Sequence, residues 1–155
     1  MTPAVNEAKK AHIEFELHEY QHDPSSESYG REAAHKLGIA EGRIFKTLVV
    51  CLGGKELAVA VVPVSSMLNM KRIAKVLGTK HASMAKASDV ERTTGYVLGG
   101  VSPLGQKKKL ITVVDVSATE YPTIFVSAGL RGLQIELKPQ DLVSLTKGRF
   151  AEICQ

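Results

Sequence analysis

Apolar and polar positions follow two different rhythms along this chain, and the rhythm changes at short intervals. A period of two runs through Ile13-Glu14-Phe15-Glu16-Leu17, as expected of a strand with one buried face. Denser apolar runs, RIFKTLVVCL (43–52) and ELAVAVVPV (56–64), flank Gly53-Gly54-Lys55 and predict a hairpin of strands rich in branched residues. KLITVVDV (109–116), TIFVS (123–127) and LQIEL (133–137) supply three more strands. Between them lie stretches of helical character. Thr2 is an N-cap ahead of Pro3 at the first helical position, and Asn69 is a cap for 69–78. Ser88-x-x-Glu91 has the form of a capping box. Gly38, Gly78, Gly95 and Gly148 follow helical stretches where a left-handed residue would end them. The order is not a strict strand–helix repeat. It predicts one mixed α/β domain over 1–155, a curved, mostly antiparallel or mixed sheet of six or seven strands with about five short helices.

Composition narrows the classes only a little. The chain has 155 residues, 44% of them hydrophobic and 23% charged, which is enough for a sizeable core. A formal charge of +4 permits a phosphate-bearing partner without requiring one. The apolar runs are far shorter than a membrane span, and the expectation is a cytoplasmic protein. Cys51 lies in a strand run and Cys154 next to the last residue, so a disulfide framework is not expected. With no Trp and eight aromatics, a stacking platform for single-stranded nucleic acid is not expected either.

HEYQH (18–22) matches H-E-x-x-H literally, but that motif binds zinc only on a helix. Here strand alternation leads into it and Asp23-Pro24 follows at once, so no metal is expected. Lys46 lies in an otherwise apolar strand. It is either an edge lysine or a cation projecting into a cleft. TGYVLGGVSPLGQKKK (94–109) fails the phosphate-loop patterns, since the glycine spacing is wrong and no helix follows. Gly99 and Gly100 let main-chain amides approach a ligand closely, and Pro103 holds Ser102 extended. This segment is either a tight connection or an amide site for a developing oxyanion. Ser127 and Arg131 occupy a second glycine-rich segment, SAGLRGL (127–133), which is either a plain turn or a second wall of the same pocket with Ser127 as a polar contact. No Ser-His-Asp or Cys-His constellation is recognisable.

Taken together, MTPAV, HDP, FKTLVV, TGYVLGGVSPLGQKKK and VSAGLRGL resemble the YbaK proteins, bacterial Cys-tRNA(Pro) deacylases, from the first residues nearly to the last. The resemblance implies a trans-editing enzyme that removes cysteine from mischarged tRNA(Pro), acting with prolyl-tRNA synthetase; a monomer in a transient complex, without a cofactor, is the expectation. It implies attack by the substrate's own thiol on its ester, the protein supplying positioning and electrostatics. Lys46 then matches the essential lysine, with Thr47 in the same pocket and Tyr20 near the terminal nucleotide. Gly99 and Gly100 would offer amides to the ester carbonyl, with Ser102 and Ser127 around them. Gln134 stands where relatives often have an aspartate. Lys107, Lys108 and Lys109 would face tRNA phosphates. Deacylation of another misacylated tRNA such as Ala-tRNA(Pro), or a nucleotide- or RNA-binding module without catalysis, remain the alternatives.

Overall fold

In the computed structural model, which describes residues 1–26 and 28–155, the chain forms eight strands and five α-helices. The helices are α1 (Pro3–Lys10), α2 (Tyr29–Leu37), α3 (Met70–Val76), α4 (Ala87–Thr94) and α5 (Pro139–Thr146). The strands are β1 (Phe15–Glu19), β2 (Phe45–Leu52), β3 (Glu56–Pro63), β4 (Ala82–Met84), β5 (Ile111–Asp115), β6 (Ile124–Leu130), β7 (Leu133–Leu137) and β8 (Arg149–Ala151). They build two sheets where the sequence pattern predicts one. A five-stranded sheet runs β4-β2-β3-β5-β8 and a three-stranded sheet runs β1-β7-β6. The two are joined at one point by a parallel bridge between Ile44 and Phe125. The mixed α/β class is as expected; β4 and β8 escape sequence reading because three residues are too few to show a period.

The main core lies between the sheets. Phe45, Val49, Val59, Val61 and Val114 of the larger sheet meet Ile124, Val126, Ile135 and Leu137 of the smaller, all nearly or wholly buried. Complete burial of such side chains contributes about 1.5–3 kcal/mol each. On the opposite face of the larger sheet, Val50, Ala60, Val62 and Val113 pack against Ile73 of α3, Leu68 and Ile153. A third, smaller cluster seats Ala33 and Ala34 of α2 on Ile44, Val64 and Phe125. Among the described residues no helix is long and apolar enough to cross a membrane.

Two capping expectations need correction. The N-cap of α4 is Lys86, so Ser88 lies inside the helix and the capping box does not form. Glu91 instead accepts a hydrogen bond at Oε2 from the Leu98 amide, 3.3 Å away. At the end of α5 the left-handed residue is Lys147 (φ 53°), not Gly148. Gly148 is there for close approach: a Cβ on it would sit 2.7 Å from the Thr112 carbonyl oxygen.

Candidate active site

The site follows from an incomplete edge of the larger sheet. Strand β4 pairs with β2 only at Val50–Leu52, and Val49 accepts at its carbonyl from the Ala85 amide. Before that point the outer edge of β2 has no strand beside it until the bridge at Ile44. Main-chain groups alternate sides along a strand. Because Val49 faces the β4 side, the N–H and C=O of Thr47 face this open edge. A cavity of about 400 Å³ occupies it, lined by Lys46, Thr47, Gly99, Ser127 and Gln134 together with apolar Ile44, Phe45, Leu48, Leu98 and Val101. Tyr29 and Gly30 from the start of α2 close one side.

Five of the residues singled out in the sequence therefore line one cavity. Ser127 and Gln134 are cross-strand partners on β6 and β7, just before the bulge at 128–129. The Gln134 Oε1 and Thr47 Oγ1 atoms are buried and have no hydrogen-bond partner. A buried acceptor without a partner costs about 1–3 kcal/mol, so two in one cavity mark a place shaped for a ligand. Lys46 makes no ion pair with any described carboxylate. Burial lowers its pKa, and the Arg31 charge adds to that; a Cys154 thiolate would oppose it. Cys154 does not act that way at neutral pH, because burial and the Asp115 carboxylate push its thiol up to about 12. Lys46 is thus a partly desolvated cation without an ion-pair partner, lining the same cavity as the two unsatisfied atoms. Among the described residues lining the cavity, none carries a thiol, an imidazole or a carboxylate.

Other expected residues lie elsewhere. The Gly100 amide is donated to the Val97 carbonyl at 3.0 Å, which corrects the expectation that it faces a substrate. Its missing side chain serves packing instead, since a Cβ would stand 3.2 Å from the Arg131 nitrogen. Ser102 is completely buried, and its Oγ accepts from the Leu104 amide at 3.2 Å, so it shapes the turn rather than the cavity. Tyr20 lies outside the lining but beside Gln134; burial raises its hydroxyl pKa. Lys107, Lys108 and Lys109 line a different hollow altogether.

The sequence reading missed the clamp that holds the Gly99 loop. Arg131 donates from Nε and Nη2 to the Leu98 carbonyl at 2.9 and 2.5 Å, and its guanidinium lies 4.7 Å from the Tyr29 ring centroid. Gly99, at φ 88°, fits between them; a Cβ there would approach both Arg131 Nε and Tyr29 Cδ2 within 2.8 Å. Tyr29 is in turn 5.7 Å from the His22 ring, and His22 Nδ1 is 2.7 Å from Glu32 Oε1. Arg131 sits in the quoted turn, but nothing local to the sequence reveals a contact across thirty-three positions.

The HEYQH histidines also part company. His22 goes to Glu32, whereas His18 Nε2 lies 2.9 Å from Glu136 Oε1. Glu16, His18 and Glu136 bring three donor atoms within 4.8 Å of one another. Glu136 Oε2 already accepts from Arg43 and Thr123, however, so this group is an ion-pair network with a cation built in.

Comparison with known proteins bears on the family and the fold. Residues 23–145 match the aminoacyl-tRNA editing domain family. Over 149 residues the chain is 44% identical to an Enterococcus faecalis protein named "Putative Cys-tRNA(Pro)/Cys-tRNA(Cys) deacylase EbsC", covering 96% of this chain and 88% of that one. The fold matches a crystal structure of a hypothetical protein at TM-score 0.88 and 25% identity, with 99% of both chains covered. It also matches a structure described as "Crystal structure of a putative trans-editing enzyme for prolyl tRNA synthetase", at TM-score 0.80 and 23% identity, over 100% of this chain and 99% of that one. This chain belongs to the aminoacyl-tRNA editing domain family.

Proposed function

We propose that this protein is an editing deacylase that removes cysteine from mischarged tRNA(Pro), acting in trans beside prolyl-tRNA synthetase. The observation that carries it is that Lys46, which has no ion-pair partner, and Thr47 and Gln134, with the unsatisfied atoms Oγ1 and Oε1, line the same Gly99 cavity. The 44% identity to a protein named as a Cys-tRNA deacylase supports the choice of substrate. An aminoacyl ester carries an ammonium and a carbonyl one carbon apart. Gln134 Oε1 and the Thr47 carbonyl suit the ammonium, while the Thr47 N–H suits the carbonyl oxygen. Lys46 supplies positive charge where the tetrahedral oxyanion forms, in a partly dry site where such charge acts strongly.

The nucleophile is the substrate's own thiol. Its sulfur bonds to the ester carbonyl carbon, the carbon–oxygen ester bond breaks, and the thiol proton ends on the released 3′ hydroxyl. The amino acid leaves as a cyclic thiolactone, and tRNA is freed. The protein's share is proximity and electrostatics, which suffice for large accelerations. Turnover of Cys-, Ala- and Pro-tRNA(Pro), with the S-methylcysteinyl ester alongside, tests the reading. Cleavage of the cysteinyl ester alone is expected. Equal cleavage of the S-methyl ester sinks the thiol step, and preference for alanine reassigns the substrate.

A further inference from the structure

A second concavity lies at the hairpin end of the larger sheet. Its walls carry Lys55 from the β2–β3 turn, Arg92 from α4, and Lys107, Lys108 and Lys109 from the loop before β5. Five cations face a single carboxylate in that lining, Glu56. Arg92 is paired with Asp89 at 2.6 Å, but none of the four lysines has an acidic partner among the described residues. The lysine loop is also fixed. The Lys107 and Lys108 amides donate to the Thr94 and Thr93 carbonyls at the end of α4, at 2.9 and 3.0 Å. Four exposed lysines gathered on one face with a single carboxylate among them make a positive potential that attracts an anion.

The sheet itself measures the distance to the cavity. Lys46 is five positions from Cys51 on β2, and Cys51 pairs with Leu57, which lines the basic hollow. At about 3.3 Å per residue the two sites are about 17 Å apart. The same surface is bridged by one short stretch of chain, since Thr93 lines the hollow and Leu98 lines the cavity. Val97 and Leu98 are both exposed along that path. A stacked nucleic-acid strand rises about 3.4 Å per nucleotide, so 17 Å spans about five. That length takes a tRNA 3′ end from its terminal adenosine, through CCA and the unpaired nucleotide before it, to the first phosphates of the acceptor duplex.

Resting on the editing reading of the Lys46 cavity, we propose that the Lys55–Arg92–Lys107–Lys108–Lys109 hollow binds the phosphate backbone at the end of the acceptor stem. It reads charge and spacing, not sequence. It fixes how far the ester-bearing end reaches toward Lys46.

The test compares the wild type with the Lys107→Gln/Lys108→Gln/Lys109→Gln variant, and separately with Lys55→Gln. Affinities for uncharged full-length tRNA and for a CCA trinucleotide are measured across a salt series, alongside turnover of a cysteinyl adenosine ester. The triple variant is expected to bind full-length tRNA about tenfold more weakly and to lose about 2–3 units of salt slope. Binding of CCA and turnover of the small ester should stay within twofold. Lys55→Gln should give about one third of the slope change. Unchanged tRNA affinity and slope in the triple variant overturn the proposal, including the case where only stimulation by the synthetase is lost. If tRNA binding needs the lysines but no ester is cleaved by the wild type, the editing reading fails and the RNA surface stands.

Discussion

Strand β7 carries two polar residues on one face, two positions apart, with opposite fates. Glu136 is surrounded: His18, Arg43 and Thr123 all reach its carboxylate. Gln134 has a buried oxygen that nothing reaches, and the Thr47 hydroxyl, from the lining of the same cavity, is in the same condition. A saturated network stabilises the joint between the sheets, where Arg43 also lies over Phe125 at 5.2 Å. An unsaturated one raises the free energy of the empty fold and lowers that of a filled site. Charge density alone does not tell the two groups apart; the state of their partners does.

The comparison can be broken most severely at Lys46. Lys46→Met should lower turnover about 100-fold or more, because a cation at a developing oxyanion has effects of that order. Its melting temperature should stay level or rise, since a partly buried charge without a partner is removed. A variant that melts earlier and keeps its rate would make Lys46 an ordinary edge residue.

The mirror-image substitution is Glu136→Ala, which leaves Arg43 and His18 facing each other. It should cost about 1–3 kcal/mol in denaturant unfolding, with kcat/KM of the folded protein little changed. Its pH dependence has a definite sign. Burial raises the Glu136 pKa, but the Thr123 and His18 hydrogen bonds and the Arg43 charge outweigh it, and the net shift is downward. The stabilisation is therefore complete above the ordinary carboxylate value and is lost as pH falls through the lower folded value. Glu136→Ala should flatten that acid limb.

A milder change sharpens the contrast. Thr47→Val removes the orphan hydroxyl and keeps the shape. KM should rise about tenfold while stability holds or improves, the reverse of most buried substitutions. The smallest expected signal is in the alkaline pH profile. Burial lowers the Lys46 pKa, so the cation is lost as pH rises through a value below that of a free lysine. The enzymatic increment over spontaneous ester loss should fall there. Lys46→Arg, whose charge persists, should carry the residual rate to higher pH.

Much of this was legible in the sequence, for reasons that differ by element. Helices α1 and α3 announce themselves through Thr2 and Asn69, whose side chains accept from the Val5 and Arg72 amides as the caps require. The β2–β3 hairpin follows from two apolar runs around Gly53-Gly54, paired from Phe45–Pro63 to Leu52–Glu56. Lys46 stood out because an isolated charge breaks such a run. The division into two sheets was not legible, since it depends on which strands pair across β5 and α5. Nor was the Gly99–Gly100 distinction. Both glycines look equally free in the sequence, yet one fits under Arg131 and Tyr29 while the other gives its amide to Val97.

The cavity draws its walls from positions 28–30, 44–48, 98–101 and 127–134, segments that meet only through long-range pairing. That has a kinetic meaning. Contacts of high sequence separation form late, after local helices and the β2–β3 hairpin. During refolding, catalytic competence should therefore return with the last phase, well after the far-ultraviolet signal of the helices. A chain still growing on the ribosome has no such site until β7 has been made and seated. The site therefore exists only once residues 28 to 134 are all in place.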